Sequence, residues 1–461
     1  MGAGYAASPH VSFVIPALLL WGKNAYRMLI GGICALLGYL CAYQAPLPIP
    51  PLKGTAHIHI LKIQPASSPF HKQLAYQGVV YKMETSEKIL PMHIPCTLYA
   101  PKNYPKPKGD CDYTVTGTID KKHEKYIFKA DKNKPWTPLA HTFSFASWRH
   151  KTKCAVRSYL KSCIPDKNSF HLLAALATGT VEDRMLSFTF TQTGLRHLLA
   201  ISGFHFALIA GLLHLCFKVL FPRKWATCLL LIVIGLYFFF IGNSPSVQRA
   251  WIAISLLLLG RLFNLKTPAL NALGIALIIE VLIDPRQITT CSFLLSFVAT
   301  CAILLLYHPF ETIMQHLLPK RTTSDILSMK HKWGYAFTCW LRKTLALNLC
   351  VHTATIPLVL CIFHAFSPAS LIYNLFFPIG IAIAMTLLLI ASLTHFLWAP
   401  AGIFLHHTNS LLTSKLLLLT TYIPTPLQYT VRTSWFSFDI TLITITCLFA
   451  LSLYVKQKQV V

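Results

Sequence analysis

The residues best placed to do chemistry in this chain are polar side chains set inside long apolar runs. A charged or imidazole group surrounded by hydrocarbon is costly, so it must be held by a partner, by water or by a function. The densest such stretch, residues 194–211, reads GLRHLLAISGFHFALIAG and carries Arg196, His197, Ser202, Gly203 and His205. His197 and His205 are eight residues apart and share a helix face if the helix is continuous. Ser202–Gly203 between them invites a break, and such backbone is tolerated at depth only inside protein or along a wet cavity. The plain alternative is that each histidine hydrogen-bonds a neighbouring carbonyl. Glu280, in ALIIEVLIDP, is an acid well inside an apolar run and needs a basic partner or a proton. Arg249, in SPSVQRAWIA, could be that partner, a pore-lining cation, or a side chain snorkelling to headgroups. Asn374, with Asn348, His352 and Thr355, adds polar groups at helical spacing. Hydrogen bonds between helices are the plain role for these.

Other chemistries find no support. There is no G-x-x-x-x-G-K-[ST] and no HExxH, and HIHI at 57–60 lacks the continuation of a two-metal hydrolase. No CxxC occurs either. No metal, no cofactor and no catalytic residue is therefore expected, and the chain reads as a non-enzyme. An embedded enzyme built on His197 with Ser202 or His205 stays a rival, although five residues do not return to one helix face.

These residues need elements to hold them, and composition says which. Of 461 residues 54% are apolar and 12% charged, with a mean hydropathy of +0.54. So few charges cannot cover a water-soluble surface, which indicates an α-helical polytopic membrane protein. The net charge of +26 fits either basic cytoplasmic loops or a polyanionic partner. Candidate spans are 201–221, 224–241, 246–263, 267–283, 288–307, 344–363, 369–396 and 438–454, with a less certain one near 404–424. The runs 171–178 and 195–201 are too short to cross and read as interfacial or re-entrant. Upstream, residues 1–50 hold a short apolar pair, 11–22 and 28–43, read as a membrane hairpin turned by Lys23 and Arg27, then a proline-rich linker.

Residues 51–140 differ in kind. They have no Arg, no long apolar run, and alternating stretches such as TAHIHILKI, YQGVVYKM and DYTVTGTI. Period-2 alternation bounded by Gly, Pro and Asn predicts about five short strands, which suits a small all-β barrel such as an OB-fold. Cys96 and Cys111 lie in this polar segment and could pair if it faces an oxidising compartment. Residues 141–165 hold Trp148, Arg149, Lys151, Lys153, Arg157 and Lys161 with no acid, a basic amphipathic stretch for a membrane surface. Residues 166–430 form the main membrane domain, and 431–461 a last span and tail. Basic residues in alternate short loops place those loops and the C-terminus in the cytoplasm and 53–140 outside.

Taken together, GLRHLLAISGFHFALIAG, NSPSVQRAWIA, NALGIALIIEVLIDP, SFLLSFVAT and TATIPLVLCIFHAFSPASLIYNLFFPIGIA, in that order, resemble the ComEC family of competence DNA-uptake channels. The match covers roughly 166–395, and 53–140 resembles the family's extracytoplasmic OB-like domain. The resemblance implies a channel in the cytoplasmic membrane that passes single-stranded DNA during natural transformation. It also implies a separate cytoplasmic motor and an extracytoplasmic DNA receptor. Lys121, Lys122, Lys125, Tyr126 and Phe128 would then meet the strand by charge and stacking, along with Tyr76, Tyr81, Tyr99 and Tyr113. Arg196, His197, Ser202, Gly203, His205, Arg249, Glu280 and Asn374 would line its path. Family members usually show Gly-Phe-Gln-Leu-Ser-Phe where this chain has Ser292, Phe293, Leu294, Leu295, Ser296 and Phe297. Many also end in a metallo-β-lactamase-like domain, whereas this chain ends soon after its last span, so any nuclease is expected to be separate. The rivals are an ion-coupled transporter of a small anion or lipid headgroup, the embedded enzyme, and a scaffold that no longer transports.

Overall fold

The structure is a computed structural model that describes residues 51–62, 73–85, 89–101, 111–122, 125–131, 134, 136–140, 145–199, 201–242, 244–265, 268–283, 290–321, 332–421, 429–433 and 436–458. The expected hairpin and linker of 1–50 lie outside these. The chain divides into two compact units, 44–158 and 1–43 with 159–461.

The first unit is built from β1 (Leu52–Lys62), β2 (Gln73–Glu84), β3 (Ile89–Pro101), β4 (Asp112–Lys122), β5 (Lys125–Ala130) and β6 (Thr137–Ala140). Strand order β1-β2-β3-β5-β4 closes on itself through a β1–β4 pairing, and β6 extends β4. The result is a five-stranded OB-like barrel, as the alternation predicts. Closure removes the free edges that an open sheet would expose. Every second residue points inward, so Ala56, Ile58, Ile60, Val80, Leu98, Val115, Ile119 and Phe128 form its core. Gly78 lets β1 and β3 approach β2, because a Cβ there would come within 2.6 Å of the His59 carbonyl oxygen.

Three sequence expectations change here. Phe128 is fully buried, and Tyr76 and Tyr113 are buried with it. Aromatics on the inner parity of a strand fill the barrel, so they offer no ring to a base. Tyr126 is partly buried against the same core. Tyr81 is the exposed one, at a bulge where both ladders skip a residue and the side chain turns outward. Lys121 and Lys122 end β4 and Lys125 opens β5, paired Lys122 with Lys125 and Lys121 with Tyr126. Cys96 and Cys111 are free thiols buried in the core, not the expected disulfide. Ladder partners Cys96–Gly78 and Gly78–Ile60, with the Ile60 N–H donating to the Cys111 carbonyl, set them three strand steps apart.

The basic stretch forms α1 (Phe145–Cys163). The unit boundary falls within α1, and the second unit then holds α2 (Lys167–Thr178), α3 (Arg184–Gln192), α4 (Arg196–Leu199), α5 (Gly203–Leu220), α6 (Arg223–Ile241), α7 (Pro245–Leu262), α8 (Ala269–Ile283), α9 (Cys291–Leu317), α10 (Lys332–Phe363), α11 (Ala369–Leu397), α12 (Ala399–Thr421) and α13 (Phe438–Lys458). Among the described residues five helices, α5, α6, α9, α10 and α11, are long and apolar enough to cross a membrane. The chain is a multi-pass membrane protein. Helices α9 and α10 run well into the loop expected at 308–343, leaving 318–331 between them.

Helix α12 occupies the place of the uncertain span, beginning earlier than expected, but it is not one of the five helices apolar enough to cross. Its buried face is polar, with His406, Asn409, Ser410, Thr413 and Thr420, while Phe404, Leu411, Leu418 and Leu419 are exposed. Asn409 Nδ2 donates to the Ala384 carbonyl on α11, and Tyr159 and His406 share a 3.0 Å hydrogen bond. Helix α13 packs on α9 and α10, with Ser452 donating to the Leu305 carbonyl and Thr441 to that of Pro357. It therefore belongs to the same compact unit, although its apolar stretch, Phe438–Ser452, is shorter than those of the five crossing helices.

Candidate functional site

The break expected at Ser202–Gly203 is present. Helix α4 ends at Leu199, Ser202 is extended at φ −99° and ψ 170°, and α5 begins at Gly203. His197 and His205 therefore do not share a face: His197 is exposed on α4, while His205 is fully buried. The Ser202 N–H donates to His205 Nδ1 at 3.1 Å, so the imidazole caps the start of α5. This is a local, structural use of His205. The Ser246 hydroxyl donates to the Ile201 carbonyl at 3.4 Å and ties the break to the first turn of α7.

Arg249, one turn into α7, points to this junction. It is 7% exposed, and its guanidinium lies 5.1 Å from the centre of the Phe297 ring on α9. A Cβ added at Gly203 would sit 3.5 Å from Arg249 Nη2. Glu280 on α8 is 0% exposed and within electrostatic reach of Arg249. No hydrogen bond joins them. Arg249 Nη1 and both Glu280 carboxylate oxygens are buried without a hydrogen-bond partner among the described residues. Ser202, Gly203, His205, Arg249 and Glu280 are thus brought into one neighbourhood by four helices, α5, α7, α8 and α9.

The remaining candidates separate from it. Arg196 lines a cleft of about 350 Å³ with Val181, Glu182, Asp183, Arg184, Ser187 and Leu199. His197 is within electrostatic reach of His352, which shares hydrogen bonds with the Asn348 carbonyl and the Ser370 hydroxyl. Asn374 lies on α11 with its Oδ1 buried and unpartnered, and no hydrogen bond links it to Arg249. Asn348 Nδ2 donates to the Leu371 carbonyl, the interhelical role expected of such residues. Phe293 and Phe297 pack with Leu273 in an α8–α9 core, so the departing hexapeptide serves packing at those positions. No group of three metal-ligating side chains occurs among the described residues.

Sequence reasoning missed two contributors. Phe297 supplies the face under Arg249, and Ser246 fastens the junction; both lie in blocks already noted, but neither is unusual alone. The Tyr159, His395 and His406 group at the α11–α12 turn also went unremarked.

A two-unit protein with an OB-like barrel, a bundle of apolar helices and a buried cationic junction belongs to the class of multi-pass membrane proteins with a polar interior. The family described as Competence protein matches residues 181–458, more than half the chain, and the chain belongs to that family. ComE operon protein 3 of Bacillus subtilis (strain 168) is 28% identical over 214 residues, 44% of this chain and 27% of that relative. The chain thus aligns with about a quarter of that relative's length. No solved structure matches.

Proposed function

We propose that this chain is a channel for single-stranded DNA across the cytoplasmic membrane during DNA uptake. The observation that carries the reading is the family's match over the whole region that builds the Arg249 junction. A polyphosphate strand needs cations, stacking surfaces and a polar route through lipid. Arg249 with the broken start of α5 supplies cation and polar backbone at depth. The barrel faces outside in this reading, by the charge bias of the short loops. Its exposed Tyr81 and its lysines give the strand a first contact that tolerates any sequence. The chain moves DNA without cutting it or hydrolysing ATP, and a separate cytoplasmic motor and outer receptor supply force and capture.

A second reading, transport of a small anion, is favoured by one observation, the burial of Arg249 and Glu280 within electrostatic reach of each other. Labelled DNA offered to cells with the gene deleted and then restored separates the two. The channel reading predicts that label reaches the cytoplasm only when the gene is present. Equal entry in its absence contradicts it.

A further inference from the structure

Arg249 and Glu280 present an arrangement that neither packing nor an ordinary ion pair explains. Both side chains are more than nine-tenths buried, at 7% and 0% exposure. Their opposite charges act on each other, yet no hydrogen bond or contact within ion-pair distance joins them. Each leaves hydrogen-bonding atoms unused: Arg249 Nη1 on one side, Glu280 Oε1 and Oε2 on the other. A structural buried pair would close that gap, because each unused atom forfeits water without replacement.

The surroundings favour an anion. Helices α5 (Gly203–Leu220) and α7 (Pro245–Leu262) both begin at this junction, and helix N-termini carry partial positive charge and free N–H groups. Phe297 supports the guanidinium from one face at 5.1 Å, which leaves its N–H edges to do the binding. Gly203 puts no side chain beside Nη2. A guanidinium fork matches the oxygens of a phosphate as well as those of a carboxylate.

We propose that Arg249 is a phosphate-binding site and that Glu280 is the resident carboxylate with which the phosphate competes. The ligand class is the phosphodiester of a nucleic-acid strand, so the inference rests on the channel reading above. Arg249 binds each phosphate in turn, and Glu280 weakens that binding enough for the phosphate to leave. A site holding phosphate too tightly would stall a moving strand.

The test uses the full chain in proteoliposomes and a short fluorescent oligothymidylate as probe, driven inward by its own concentration gradient so that no motor is needed, with entry rate measured against oligonucleotide concentration. Glu280→Gln should lower the half-saturating concentration about tenfold and lower the maximal rate. Arg249→Gln should raise the half-saturating concentration about tenfold, and the double variant should behave like Arg249→Gln. Opposite shifts from the two single changes are not produced by a merely structural pair, whose loss harms both variants alike. On the unaltered chain, inorganic phosphate should raise the half-saturating concentration more than chloride at equal ionic strength, a check that needs no variant to fold. Shifts in the same direction, no shift, or phosphate acting no better than chloride would overturn the site while leaving the channel standing. No entry through the unaltered chain would overturn the channel reading, and the site with it.

Discussion

Gly194 sits at φ +70°, and a Cβ there would come within 2.6 Å of Ser370 Cβ. Left-handed backbone costs a side chain about 1–2 kcal/mol and overpacking about 1–3 kcal/mol. Gly194→Ala should therefore lower stability by roughly 2–4 kcal/mol, read as a lower thermal midpoint of the detergent-solubilised chain. An unchanged midpoint would contradict the close approach of α11 to this turn. In the barrel, burial pushes the Cys96 thiol up to about 12 from 9.0. A thiol that stays protonated in the fold but ionises when unfolded contributes stability that is complete below about pH 9. That stability is lost as pH rises toward about 12. Alkylation of Cys96 should be slow in the folded chain, and the urea concentration that exposes it should fall across that range. Rapid labelling of the folded chain at neutral pH would contradict its burial. Phe128 was misjudged for a reason at this scale: alternation shows that Tyr126 and Phe128 share a face, but sequence alone does not say which face is inner.

Elements were legible where apolar runs are unbroken. Helices α5, α6 and α11 fall within a few residues of their sequence bounds because lipid contact on most sides demands continuous hydrocarbon. Helix α12 was doubtful because hydropathy averages over its faces, and His406, Asn409, Thr413 and Thr420 dilute Phe404, Leu411, Leu418 and Leu419. Their three- and four-residue spacing was the available signal of a polar face turned into the bundle. Asn409→Ala should cost about 0.5–1.5 kcal/mol, the net worth of one interhelical hydrogen bond, because the Ala384 carbonyl keeps its place in the α11 ladder. A shortfall in α11–α12 protection during hydrogen exchange is the readout, and full protection in the variant would contradict the pairing. The Arg249 junction was half legible. The unusual residues announced themselves, but which of them meet depends on crossings that one sequence does not contain.

At the scale of the molecule, the proposed sidedness puts the basic loops inside and the barrel outside. Cys154, exposed on α1, reports on it directly. A variant retaining that single thiol should react with a membrane-impermeant reagent added outside intact cells; reaction only after permeabilisation would place the barrel in the cytoplasm.

A strand that passes through the bundle passes beside Gly203, so the side chain at this position decides whether it can. A Cβ there makes ordinary contact at 3.5 Å from Arg249 Nη2, whereas a larger side chain would enter the space beside the guanidinium. The measurement is entry of a short fluorescent single-stranded oligonucleotide, down its own concentration gradient, into proteoliposomes containing the purified full chain, Gly203→Ala or Gly203→Leu. Entry is expected with the unaltered chain and with Gly203→Ala, and at least a tenfold loss, about 1.4 kcal/mol or more, with Gly203→Leu. Entry through Gly203→Leu at the unaltered rate would mean that the strand does not pass this junction.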